Sequence, residues 1–191
     1  PSEADAFLDS QTVRIMNRGK KMNRENLLEI LVLARWAPSG DNTQPWRFKI
    51  ISDYEVLIIG SDTQSWCVYD LNGWPSQMAH GALLETIRIA ATGFGVLATW
   101  QLLSICPKGG EYVYRVLFND VKHVEMDPLC PFIKERTVQR RVMSTKPLTE
   151  SVCVKLIDAV GKEFEIKFFS SLSDRLTVAR ILWVSAHIRL T

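Results

Sequence analysis

The ten residues Ala37-Pro38-Ser39-Gly40-Asp41-Asn42-Thr43-Gln44-Pro45-Trp46 constrain this chain more than any other stretch. They lie between an apolar helical run, Leu27 to Trp36, and an alternating strand-like run, Arg47 to Ile51. Pro38 lacks the amide hydrogen that a continuing helix needs, so the helix stops there. Pro45 fixes the backbone entering the strand, and Trp46 supplies a large packing surface. A helix-to-strand connection needs a stop signal and at most a glycine. It does not need Ser, Asp, Asn, Thr and Gln together inside a Pro-Trp clamp. That excess of hydrogen-bonding groups points to a ligand.

The surrounding pattern gives the loop a frame. Asn23 caps a helix predicted to run to about Trp36, apolar nearly all round and therefore buried. Strands are predicted at Trp46–Ser52 and Glu55–Gly60. Ser61 to Pro75 reads as a linker with Asp70, Asn72 and Gly73 as turn residues. A second helix is predicted from about Ser76 to Thr92, with Ala79, Leu83, Ile87 and Ala90 on one face, ended by Gly93 and Gly95. Its Gly81, Ala82, Ala90 and Ala91 allow close approach of another helix or a flat ligand. Pro107 to Gly110 reads as a turn, Glu111–Asn119 as a strand, and Asp127–Arg136 as a connector with two prolines. Thr149 is expected to cap a helix to about Val160, Phe164–Ser170 to form a strand, and Ser173 to cap a last helix. The apolar side of that helix is Leu176, Ala179, Leu182, Trp183 and Ala186.

The bulk numbers exclude several function classes. In 191 residues the formal net charge is only +2, so charge gives no support to general nucleic-acid or membrane-surface binding. Every long apolar run is broken by Arg, Glu or Gly well before the roughly 18 residues a membrane helix needs. The first stretch carries Glu3, Asp5 and Asp9 and does not read as a signal peptide. Cys67, Cys106, Cys130 and Cys153 form no CxxC pair, and with three histidines there is no zinc-ligand spacing. Four reduced thiols in a cytoplasmic protein is the plain reading. Both ends look cut, since no initiator Met is present and the last helix has no cap, so a piece of a longer polypeptide is expected. Ser39 has no nearby His signature, so it is not read as a nucleophile. His80 and Glu85 fall on different faces of one helix, and His123 and Asp127 would share a helix face.

A second motif follows at Arg136-Thr137-Val138-Gln139-Arg140-Arg141, before the helix opening at Leu148-Thr149. Planar guanidinium groups suit phosphate because their fork donates two parallel hydrogen bonds, although a solvated basic linker reads the same way in isolation. Taken together, the two motifs resemble the nitroreductase-like superfamily of flavin oxidoreductases. Pro38 to Trp46 resembles that family's Pro-Ser-x-x-Asn-x-Gln-Pro-Trp. Gly81 to Ala91 with Gly93-Phe94-Gly95 resembles its central helix and glycine-rich turn. Arg136 and Arg140 resemble its Arg-x-Ser-x-Arg phosphate motif. Val138 stands where that motif has Ser, so one phosphate hydrogen bond is lost, and Arg141 is the candidate to replace it. Arg14 and Arg18 are also four apart, but their spacing to the next helix is wrong for a phosphate site.

In most of that family the arginines precede the Pro-Ser loop, whereas here they follow it. A weak repeat bears on this. Leu27–Val32 followed by Arg47–Ile51 is echoed by Val154–Ala159 followed by Glu165–Phe169, an echo that two amphipathic segments can also give by chance. The chain thus resembles a double-length branch, with residues 1–126 as a first half and 127–191 as the start of a second, degenerate and truncated half.

The resemblance implies an α+β fold: a mixed, mostly antiparallel sheet flanked by helices, with the helix at 76–92 buried at its centre. It implies FMN as cofactor and NAD(P)H as co-substrate, with electrons passed to a small oxidised organic molecule such as a nitroaromatic or quinone. The implied cofactor-binding residues are Pro38, Ser39, Gly40, Asn42, Gln44, Arg136, Arg140 and Arg141, with Gln44 bracing the loop and Trp46 in the core. A homodimer or an intramolecular pseudo-dimer follows from the same resemblance. Two other readings stay open: a non-catalytic FMN-binding or FMN-storage protein, and a nitroreductase-like domain of a larger biosynthetic protein.

Overall fold

A computed structural model of the chain describes residues 22–68, 70, 72–106, 110–139, 141–142, 144–162 and 164–190. The chain divides into two compact units, Pro1–Thr137 and Val138–Thr191. The division falls beyond the 126/127 boundary expected from the sequence. Cys130 and Ile133, in the intervening connector, are buried in the core of the first unit.

Helix α1 spans Arg24–Ala34, and the Asn23 side chain accepts the Asn26 amide at 2.9 Å as its cap. Strands β1 (Trp46–Ser52) and β2 (Glu55–Ser61) form an antiparallel hairpin, from Trp46 opposite Gly60 to Ser52 opposite Glu55. Helix α2 spans Trp74–Thr92, with Pro75 in its first turn, where a missing amide hydrogen costs nothing. Its end winds tightly through Gly93, Phe94 and Gly95, and Gly95 takes φ +72° to turn the chain into the next strand. That strand, β3 (Val96–Cys106), was not expected from the sequence. It pairs antiparallel with β4 (Glu111–Asp120), with an irregularity between Leu102 and Ser104. The sheet order is β1-β2-β4-β3, and all three pairings are antiparallel.

Alternation along the strands decides which face the helices cover. Val56 and Ile58 of β2, Val96 and Ala98 of β3, and Val116 and Phe118 of β4 are buried, together with Leu27, Ile30, Leu83 and Ile87 of the two helices. Burying each of these side chains larger than Ala98 stabilises the fold by about 1.5–3 kcal/mol. The α+β class, the antiparallel sheet and the buried helix at 76–92 therefore stand as expected. Gly81 is different: it faces outward on α2 with nothing near it. Residues 121–127 are not helical, so His123 and Asp127 share no helix face. Asp127 instead accepts Arg88 Nη2 at 2.8 Å, and its own amide donates to Thr92 Oγ1 at 2.9 Å.

The second unit holds α3 (Glu150–Val160) and α4 (Leu172–Leu190). Thr149 precedes α3 in extended conformation, but its side chain makes no capping bond. The cap at the start of α4 is Ser171, whose Oγ accepts the Asp174 amide at 3.1 Å, and not Ser173. Residues 164–170 form no strand, and no described residue of this unit is buried. The apolar side expected of α4 is exposed at Leu176, Leu182 and Trp183. Among the described residues, no helix is long and apolar enough to cross a membrane.

Candidate functional site

The connection from α1 to β1 has an unusual backbone. After Pro38, residues Gly40–Asn42 make one 3-10 turn. Asp41, Asn42 and Gln44 all take left-handed φ, at +48°, +56° and +47°. Asp and Asn tolerate this region because their short side chains bond locally, but Gln has no such excuse, and each such residue costs about 1–2 kcal/mol. The conformation persists because several bonds hold it. The Asn42 amide donates to Ser39 O at 3.1 Å and the Thr43 amide to Gly40 O at 3.0 Å. The Gln44 amide donates to Ser39 Oγ at 3.0 Å, and Gln44 Nε2 donates to Asn42 Oδ1 at 3.3 Å. Ser39 and Gln44 thus brace the loop from inside. Pro38, Gly40 and Asn42 are exposed, while Trp46 is buried in the core.

The loop is anchored at both ends. At its exit, Pro45 O accepts the Ser61 amide at 2.9 Å and lies 3.1 Å from His80 Nε2 of α2. At its entry, Arg136 Nη2 donates to Trp36 O at 3.1 Å. The short turn Cys130–Phe132 leads to Arg136, whose amide donates to Phe132 O at 2.9 Å. The structure therefore brings one motif arginine to the edge of the Pro-Ser loop within a single unit. Arg140, like Arg14 and Arg18, lies outside the described residues. Arg141 belongs to the second unit, where its side chain is exposed and its amide donates to Gln139 Oε1 at 2.9 Å.

A buried polar cluster joins the segment after β2 to the start of α2, and no local sequence pattern announces it. Asp70, at 1% exposure, accepts through Oδ2 from Ser76 Oγ at 2.6 Å, Thr63 Oγ1 at 2.7 Å and the Thr63 amide at 3.1 Å. Burial alone would raise its pKa, but these donors together outweigh burial and hold it below the usual carboxylate value. His80 is fully buried among the rings of Tyr112 and Tyr114, and burial pushes its pKa down. Asp70 read from sequence as a turn residue. The nearest signal is the spacing of Ser76 and His80, four apart on the helix and next to the apolar positions Leu83 and Ile87.

Other chemistry is sparse. Cys130 is buried, and burial raises its thiol pKa, which makes it a poor nucleophile. Among the described residues, no group of His, Cys, Asp and Glu is arranged to hold a metal ion.

Comparison with known proteins agrees with the loop. The model of the Nitroreductase family matches residues 11–73, about a third of the chain, and the match includes all of Pro38 to Trp46. No curated protein matches. Among solved structures, the chain is similar to an FMN-dependent nitroreductase from Clostridium difficile R20291. That similarity has 13% identity and a TM-score of 0.36 over 65% of this chain and 92% of that one.

Proposed function

We propose that the chain is an FMN-binding oxidoreductase of nitroreductase type, with Pro38 to Gln44 and Arg136 forming part of its cofactor site. The observation that carries this reading is the braced, left-handed loop at 38–45, which the family match spans and which Arg136 flanks at Trp36 O. The donor set suits FMN. Gly40 faces open space, so a backbone approach to a phosphate or ribityl chain is unobstructed, and Arg136 adds a planar cation. Ser39 and Gln44 set the loop's shape, while Gly40 and Asn42 present groups outward. Arg140 and Arg141 keep their assignment to phosphate on sequence grounds alone. When bound, FMN supplies hydride exchange with NAD(P)H and a small oxidised substrate such as a nitroaromatic or quinone.

The test is FMN titration of R136A/R140A against the parent chain. The expected result is a roughly 10–100-fold loss of affinity with the fold intact, because charge-assisted bonds to phosphate are each worth about 1.5–3 kcal/mol. Unchanged affinity removes the phosphate assignment. NAD(P)H oxidation by the FMN-loaded protein then separates an enzyme from a flavin store. The cytoplasmic location and the dimer or pseudo-dimer belong to this same proposal.

A further inference from the structure

We infer that His80 is a positioning residue for the 38–45 loop, holding its exit through the Pro45 carbonyl. The inference rests on the reading of that loop as a flavin site only for its functional consequence.

Several observations converge on it. His80 is fully buried on α2, yet its ring reaches Pro45 O at 3.1 Å. A carbonyl oxygen only accepts, so Nε2 carries the proton and donates. Nδ1 is then an acceptor that no described residue meets with a well-formed hydrogen bond, although the ring also lies against the Ser61 backbone. A core imidazole left with one orphaned nitrogen is costly as mere filling. Its neighbourhood is built around it: a Cβ on Gly60 would come within 2.5 Å of the ring, so β2 gives up a side chain to admit it. Tyr112 and Tyr114 meet the ring edge-on and fix its orientation. The peptide it grips follows Gln44, the residue whose left-handed φ is least natural in the loop. Without His80 the Pro45 carbonyl keeps only the Ser61 amide, and the strained turn loses the bond that ties it to the central helix. Strain of this kind survives only where its surroundings over-determine it.

The experiment pairs hydrogen exchange of the loop with FMN titration in H80M and H80Q. H80M fills similar space without a donor, and H80Q carries a donor of similar reach. For H80M we expect exchange at the Gln44 and Trp46 amides to speed about tenfold, with the amides of α2 and β4 unchanged, and FMN affinity to fall about tenfold. H80Q should restore both. Loop exchange in H80M equal to the parent overturns the inference, as does H80Q behaving like H80M. If the parent binds no FMN while H80M still loosens the loop, the positioning role stands and the flavin reading fails. Nitrogen NMR of the parent chain gives an answer that needs no variant: a proton on Nε2 is expected, and a proton on Nδ1 instead overturns the inference.

Discussion

The two halves of the weak sequence repeat meet different fates. In the first, Leu27–Val32 lies within a helix whose Leu27, Ile30 and Leu31 are buried, and Arg47–Ile51 lies within a strand that pairs with β2 from Arg47 to Ile50 and bulges at Ile51. In the second, Val154–Ala159 also forms helix, but Val154, Leu156 and Ile157 are exposed, and Glu165–Phe169 forms no strand. The difference teaches which structure is local. A helix closes its hydrogen bonds within itself, so a local pattern specifies it without a partner segment. A strand needs a neighbour in register, and segment 164–170 has none among the described residues.

This contrast can be broken by measurement. The largest expected effect is at the core of the first unit. L83A removes a fully buried side chain of α2 and should cost about 2–5 kcal/mol in urea unfolding. A cost below about 1 kcal/mol would mean that core is not packed as described. Next is D70A, which strips the acceptor from Thr63 and Ser76 in a buried cluster and should cost about 2–3 kcal/mol. Full stability in that variant would show the network to be dispensable.

A smaller effect is expected from pH. The charged and titratable groups around His80 are Asp62, Asp70, Tyr112 and Tyr114. Burial lowers the folded-state pKa of His80, so below its unfolded value of about 6.5 the unfolded chain binds the extra proton first. Stability should therefore decline as pH falls from about 6.5, and this slope should vanish in H80Q. Asp70 adds a separate loss at lower pH. Its folded pKa is depressed, so its contribution is present above the usual carboxylate value and lost as pH falls through the folded one. The smallest effect is L156A on α3, where an exposed Leu should cost no more than about 0.5 kcal/mol. A cost matching that of L83A would erase the contrast between the repeat's halves.

Much of the first unit was legible because its signals are local. Asn23, Pro38 and the alternation in 46–60 announce a cap, a stop and a hairpin, and the elements fall within a residue or two of the expected bounds. Strand β3 was not legible. Val96 to Cys106 is nearly continuous in apolar residues, with no clean alternation, and it becomes a strand only by pairing with β4. At the site, the Pro-Ser loop was plain in the sequence, but its holders were not. Arg136 reaches Trp36 O across a hundred positions, and His80 reaches Pro45 O across thirty-five, contacts that no local pattern encodes. The Asp70 cluster was hidden for the same reason, since its carboxylate falls in a stretch that reads as turn.

The burial of Trp46 gives the molecule a built-in optical reporter. The chain has six tryptophans, and Trp36, Trp66, Trp74, Trp100 and Trp183 are all exposed. Trp46 alone is sheltered, and it directly follows the loop exit held by His80. A soluble quencher such as acrylamide will extinguish the five exposed indoles first. The blue-shifted emission that survives belongs to one residue, one peptide bond away from Pro45, and it follows the state of the loop without any added label.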